Sequence, residues 1–174
     1  MADVSRYFVR ESLRDGTPIL IRAIRPDDKA RLLKHFQSLS DLSKYHRFFG
    51  LKRTLDELDL RHLTELDFAN HVGLAAIIEA GDERFIGVGR YLRGDAPEAE
   101  VAFAVLDEHQ GRGIGTLLLR HLAQIARSAG IRRFSAVVMG DNKQMLEVFA
   151  NSGFLTHDSY ESGVVRVTLD LDRS

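Results

Sequence analysis

A chain of 174 residues is long enough for one domain with a real core, burying close to ~70% of the surface its unfolded form exposes. It contains no cysteine, which excludes disulfides, thiolate metal sites and a cysteinyl acyl-enzyme. With 24 basic and 25 acidic side chains and a formal charge of -1, it offers no global field for nucleic acid, so any polyanion must be held locally.

The opening stretch "MADVSRYFVRESLRDG" is charged throughout, and no apolar run approaches ~18 residues. The expectation is a soluble cytoplasmic protein without a signal peptide or membrane span. "YFVRESLRDGTPILIRAIR" then reads as a hairpin, two alternating runs around the turn dipeptide Asp15-Gly16. In "PDDKARLLKHFQSLS", Leu32, Leu33, Phe36 and Leu39 recur at helical spacing behind an acidic first turn. "SDLSKYHRFFG" predicts a short second helix closed by Gly50, with Tyr45, Phe48 and Phe49 read as core, although "KYHRFF" also suits an acceptor-facing patch. A third helix is predicted from Thr54, where "TLDE" has the Thr-x-x-Glu capping-box pattern and Leu55, Leu58, Leu63 and Leu66 follow.

From His71 the period changes to that of strands. "HVGLAAIIEA", "ERFIGVGRYLR" and "AEVAFAVL" are joined by "GD" and "GDAPE" turns and read as an antiparallel meander. A helix follows from about Gly113 to Ala129, with Ile114, Leu117, Leu118, Leu122 and Ile125 on one face and Gly130 as its stop. A strand "FSAVVM", a helix "NKQMLEVFANS" ended by Gly153, and the strands "GFLTHDSY" and "GVVRVTLDL" complete the order ββ-ααα-βββ-α-β-α-ββ. That order predicts a single α+β (mixed α/β) domain over residues 1–174, built around one sheet.

The stretch "DEHQGRGIG", with Gly111, Gly113 and Gly115, lies between a strand and a helix. Such a junction aims backbone N–H groups and the positive end of a helix at one point, which suits an anion, usually phosphate. The glycines alone also suit a tight turn with close helix packing. A P-loop needs Gly-Lys-Ser/Thr, and no lysine follows Gly115. The dinucleotide fingerprint needs its third glycine one position later and an acid where Arg132 and Arg133 stand.

"QGRGIG" instead matches Gln/Arg-x-x-Gly-x-Gly/Ala and resembles the acetyl-CoA site of the GNAT superfamily of N-acetyltransferases. "DNKQMLEVFANSGF" resembles the family's second motif, an Asn-led helix ending in Gly-Phe. "RDGTPILIRAIRPDD", "SLSDLSKYHRFFG", "LTELD" and "AEVAFAVLDEHQGRGIGTLLL" are further similar to the acetyltransferase domain of bacterial protein-lysine acetyltransferases that modify acyl-CoA synthetases. The resemblance implies a GNAT fold: a mostly antiparallel mixed sheet with a splayed strand pair, flanked by helices and opened by the hairpin. It implies acetyl-CoA as cosubstrate, with Ala104, Val105 and Leu106 along the pantetheine arm. It implies Gln110, Gly111, Arg112, Gly113, Ile114, Gly115 and Thr116 at the pyrophosphate, and Asn142 and Lys143 nearby. Relatives often carry a synthetase-like or cyclic-nucleotide-binding domain, for which 174 residues leave no room.

A lysine of pKa ~10.4 gives up roughly 4.6 kcal/mol of proton affinity to attack a thioester at pH 7, so a base is useful. By the same resemblance Glu100 takes that role; on residues alone it reads as a solvated strand-end glutamate beside Glu98. A backbone N–H near Val105 or Leu106 would meet the oxyanion. Where many members carry a tyrosine acid this chain has Phe149, and a CoA thiol with a pKa near that of free cysteine leaves tolerably as thiolate. His109 adjoins the loop, but the seven histidines show no metal-ligand spacing, so no metal is expected. No Gly-x-Ser-x-Gly occurs either, which leaves direct transfer in a ternary complex. The expected acceptor is a protein lysine, for example on an acyl-CoA synthetase. A small amine or amino acid is the alternative acceptor, and a non-catalytic acyl-CoA sensor the alternative class. The expected state is monomer or homodimer, with neither nucleic acid nor membrane as partner.

Overall fold

The computed structural model describes residues 3–49, 52–79 and 81–173. A hairpin of β1 (Phe8–Ser12) and β2 (Pro18–Ala23) is followed by α1 (Lys29–Ser38), α2 (Asp41–Phe48) and α3 (Glu57–Thr64). The meander β3 (His71–Ile78), β4 (Arg84–Arg93) and β5 (Glu98–Val105) leads into α4 (Ile114–Ser128). Then come β6 (Arg133–Met139), α5 (Lys143–Ala150), β7 (Leu155–Glu161) and β8 (Val164–Asp170). The strands form one sheet in the order β1-β2-β3-β4-β5-β6-β8-β7, antiparallel everywhere except between β5 and β6. This is the mixed α/β domain that the element order predicts and the GNAT fold, opened by a hairpin, that the resemblance implies.

The sheet is covered on both faces. Buried Leu118, Leu119, Leu122, Ala123 and Ala126 make an apolar stripe along α4, which lies against β3, β4 and β5. Two glycines of β4 let it come close: a Cβ on Gly87 would stand 2.9 Å from Ile114 Cγ2, and one on Gly89 would stand 2.8 Å from Phe103 Cδ1 and 3.2 Å from Leu122 Cδ1. Helix α5 joins α4 on this face through Phe149, edge-on to Phe103 with ring centroids 6.0 Å apart. The opposite face carries α1 against β4 and α2 against β5, with α3 packed on α1.

Three local expectations are corrected. The third helix starts later than Thr54: its capping box is Asp56 with Asp59, the Asp56 side chain accepting from Asp59 N at 2.8 Å and the Asp59 side chain from Asp56 N at 3.0 Å. Aspartate caps as well as threonine, and Lys52 Nζ donates to Asp59 at 2.7 Å, which favours the later start. Leu58 is consequently 71% exposed rather than core. On α2 only Phe48 packs inward, edge-on to Phe36, whereas Tyr45 is 48% and Phe49 37% exposed. Phe49 sits at the helix end with φ 54°, a left-handed turn that carries its ring off the apolar face. The helix stop expected at Gly50 lies outside the described residues.

A methyl group at Gly89 overpacks the α4 contact, and Gly89→Ala is expected to cost about 1–3 kcal/mol, measured as a lower urea midpoint. Acid acts through two buried imidazoles. Burial, reinforced by Arg90, pushes both His35 on α1 and His71 on β3 down from 6.5 to about 4. The folded state thus holds both neutral while the unfolded chain protonates near 6.5, so their contribution is complete above that pH and is lost as the pH falls to about 4. Stability should drop by up to about 1.4 kcal/mol per pH unit for each histidine in that window. In denaturation series between pH 6.5 and 4.5, His35→Gln should flatten the slope by up to about 1.4 kcal/mol per pH unit.

Candidate active site

The site begins with a failure of pairing. β5 and β6 are in register at Glu98 with Arg133, Ala99 with Phe134 and Glu100 with Ser135, and there the ladder ends. Beyond it β5 remains paired to β4 as far as Val105, while β6 remains paired to β8 as far as Met139. The two strands part because each is held by its outer neighbour. Leu106 N donates to Ile86 O at 2.9 Å on the β4 side. By the alternation of an antiparallel ladder, Phe103 directs its N–H and C=O, and Val105 its N–H, into the opening. The Val105 carbonyl accepts from Gln110 Nε2 at 3.1 Å.

The resulting cleft has a volume of about 810 Å³ and runs from α2, past the opened strands, to the start of α4 and one side of α5. Glu100 lines it at the fork, exposed. Ala104, Val105, Gln110, Gly111, Gly113, Ile114, Gly115, Thr116, Asn142 and Lys143 line it as well. Among the expected residues, Leu106 and Arg112 do not. Leu106 is buried in the core. Arg112 turns to the hairpin, where it donates to Asp15 Oδ2 at 2.7 Å and Thr17 Oγ1 at 2.9 Å, and to His109 Nδ1 at 2.8 Å. His109 is thereby fixed as an acceptor at Nδ1, and burial together with Arg112 lowers its pKa.

The loop's three glycines serve different ends. Gly111 and Gly113 have φ of 78° and 89°, the left-handed region. Gly115 lies under α5, where a Cβ would stand 3.1 Å from Val148 Cγ2. Gly113 caps α4 without a side-chain acceptor, and the first turn carries no acid, so the leading amides of the helix are left to the cleft. A second cation joins them from the hairpin: Arg14 lines the cleft and reaches within 3.4 Å of where a Gly113 Cβ would be. The concentration of N–H groups, helix dipole and guanidinium suits a polyphosphate. Asn142 Oδ1 caps α5 by accepting from Met145 N at 3.3 Å.

Helix α2 is fastened on both sides of the cleft. Asp107, just after β5, accepts from Ser40 N at 3.1 Å, Ser40 Oγ at 2.8 Å and Ser43 Oγ at 3.0 Å. On the far side His46 Nε2 donates to Asp141 Oδ1 at 3.1 Å. These tethers, and the lining residues Arg14, Ser43, His46 and Arg47, are not among the expected site residues because segments distant in the chain supply them, although His46 and Arg47 fall in the "KYHRFF" patch. Phe149 is buried at the cleft wall, and no tyrosine lines the cleft among the described residues. Among those residues there is also no cluster of three or more side chains suited to a metal ion, and no helix is long and apolar enough to cross a membrane. Removing the tether with Asp107→Ala should speed hydrogen exchange of the α2 amides about tenfold or more while leaving α4 unchanged, as read by mass spectrometry.

Comparison with known proteins agrees with this geometry. The profile of the Acetyltransferase (GNAT) family matches residues 39–154. The chain is 31% identical over 147 residues to acetyltransferase PA5475 of Pseudomonas aeruginosa, covering 83% of this chain and 79% of that protein. It is 34% identical over 148 residues to acetyltransferase Pat of Mycolicibacterium smegmatis, covering 81% of this chain and 42% of that protein. Among solved structures, the GNAT domain of S. lividans PAT superposes with a TM-score of 0.86 at 43% identity, covering 94% of this chain and 96% of that one. A cAMP-binding acyltransferase from Mycobacterium smegmatis superposes at 0.67 with 29% identity, covering 95% of this chain and 47% of that one. The chain thus spans less than half of Pat and of that acyltransferase. With a glycine loop opening α4, a parted strand pair and these relatives, the chain belongs to the acetyltransferase (GNAT) family and is related to its PAT-type members.

Proposed function

We propose that the chain moves an acetyl group from acetyl-CoA to the ε-amine of a protein lysine, with an AMP-forming acyl-CoA synthetase as the acceptor class. The observation that carries the reading is the fork at Glu100 and Ser135, which sets an exposed carboxylate where the cleft passes between two strands. The relatives, two of them named Pat or PAT, support acetyl transfer, and the sequence resemblance to protein-lysine acetyltransferases supports a protein acceptor.

In this reading the amides from Gly111 to Thr116 and the Arg14 guanidinium hold the pyrophosphate. The Asn142 amide and the free backbone groups of Phe103 and Val105 pair with the pantetheine arm. Lys143 faces the phosphates, and Arg112 acts on the loop through Asp15 and Thr17 rather than on phosphate. Glu100 takes the proton from the incoming ammonium, directly or through a water, so that the amine lone pair attacks the thioester carbon. The oxyanion that forms is met by a strand N–H in the opening. The C–N bond forms, the nitrogen gives up its second proton to solvent, the C–S bond breaks, and CoA departs as a thiolate. Thiolate is acceptable there, because a thiol of pKa about 8.5 needs little help to leave near neutral pH.

Glu100→Gln keeps the size of the side chain and removes the base. It should lower kcat by about 10²–10⁴-fold while acetyl-CoA affinity stays within about twofold. The assay is transfer of labelled acetyl to a panel of acyl-CoA synthetases and of small amines, with cofactor binding followed by calorimetry. Label on a synthetase lysine that the mutation abolishes supports the reading. Label confined to small amines moves the acceptor to that class, and tight cofactor binding without transfer by the wild type makes the chain a sensor.

A further inference from the structure

Beside the main cleft, beneath α2, lies a smaller space of about 30 Å³, room for a carboxylate group or about two waters. The two spaces share Arg47, Phe48, Ala102 and Ala104. Most of the inner wall is apolar, from Leu32, Phe36, Leu39 and Val88 among others. Three nitrogen-bearing side chains interrupt it: His35 from α1, Arg47 from α2 and Arg90 from β4.

No acid balances them there. Arg90 is 3% exposed, and its partners are the Leu63 carbonyl at 3.2 Å and His71 Nε2 at 2.8 Å. A guanidinium only donates, so His71 accepts and is neutral. Arg47 stands over the Phe48 ring at 4.5 Å from Cζ to centroid. No carboxylate lines the inner space among the described residues, and the acid whose charge reaches Arg47 is Glu100 in the main cleft. His35 is 4% exposed; its Nδ1 donates to Phe85 O at 3.1 Å, and its Nε2 is buried without a partner. Burial and mutual repulsion push Arg90 down to about 9, and burial pushes Arg47 down to about 10, so both remain charged at neutral pH. Buried charges are normally paired. Water filling the space solvates two guanidinium groups but does not neutralise them, whereas a carboxylate matches their planar fork.

The place of this pocket identifies the carrier of that carboxylate. It opens off Ala102 and Ala104 of β5, the strand proposed above to carry the pantetheine arm, and borders the wall that also holds Glu100. With the pantetheine arm along β5 as proposed above, the far end of a short acyl chain on the thioester would extend toward Ala102 and this pocket. The geometry points to a carboxylate subsite for the acyl donor: the transferase takes dicarboxylic acyl-CoA thioesters of succinyl length as well as acetyl-CoA. This rests on the acyl-CoA transferase reading. The reaction is unchanged in balance. Glu100 takes the first proton from the ammonium and passes it to solvent, the amine nitrogen bonds to the thioester carbon and loses its second proton to solvent, the C–S bond breaks, and CoA leaves as thiolate. The distal carboxylate stays ionised against Arg47 and Arg90 throughout.

The test compares succinyl-CoA with butyryl-CoA, equal in carbon count and different in the terminal group, using acetyl-CoA as reference. Binding is measured by calorimetry without acceptor, and kcat/KM with the best acceptor found for acetyl-CoA. Wild type should favour succinyl over butyryl by about tenfold or more in both measurements. Arg47→Gln should abolish that preference and Arg47→Lys should restore part of it, with folding of each checked by its urea midpoint. Equal use of the two donors, or a preference that survives Arg47→Gln, overturns the subsite. So does an Arg47 dependence that follows the α-carboxylate of an amino-acid acceptor instead of the donor. If acetyl-CoA binds but is never transferred, the transferase reading fails, and the binding comparison alone still decides the subsite.

Discussion

Two strands that are neighbours in the sheet share only their first three register pairs, and the rest of the site follows from where that pairing stops. Each strand is committed elsewhere, β5 to β4 along its full length and β6 to β8 along its own. Neither can close the gap without giving up ladder bonds on its other edge. Unpaired peptide groups are thereby kept in a cleft wall where they would normally be satisfied, and an extended amide-bearing chain is the partner that suits them. The same divergence leaves Glu100 at the last shared pair, and it lets the cleft reach both helical layers. The small side chains at Ala102 and Ala104 fit this arrangement, since bulk there would refill the opening.

The glycine loop shows how one motif answers several local demands. Two of its glycines are dictated by backbone torsion and the third by the approach of Val148, so a strand-to-helix turn and a close helix contact both occur within a loop whose amides suit an anion. The packing account and the binding account of these residues are not rivals. A loop able to cradle phosphate through its main chain must be bare of side chains and must also be held still, and α5 and the hairpin hold it.

Much of the architecture is legible in the sequence because periodicity reports burial. The apolar run in "ERFIGVGRYLR", buried on both faces, and the stripe through Leu118, Leu122 and Ile125 identify β4 and α4 within a residue or two. The helix beginning near Thr54 is misplaced because Thr54 and Asp56 both cap well and only Lys52, through Asp59, decides between them. Phe49 is misjudged because one left-handed residue at a helix end defeats a 3.6-residue period. The loop and the Asn-led helix are visible as motifs. Arg112, expected at the phosphates, turns to Asp15 instead, and Arg14 of the hairpin lines the cleft beside Gly113, an arrangement that only folding shows. The cluster of His35, Arg47 and Arg90 has no linear signature, being drawn from two helices and a strand.

The anchoring of the loop by Asp15 and Thr17 bears on how proteins of this kind diverge. The family's shared pattern covers residues 39–154, yet the hairpin that grips Arg112, and β8, which holds β6 away from β5, both fall outside it. The shared stretch carries Glu100, the glycine loop and Asn142, while the flanking stretches add Arg14 to the cleft and govern how rigidly the rest are presented. Two relatives with identical cleft residues between those bounds can therefore differ in affinity and turnover through their ends alone, and a fragment cut to the common pattern would keep the glycine loop and the Asn-led helix and lose Arg14 and the scaffold that aims them.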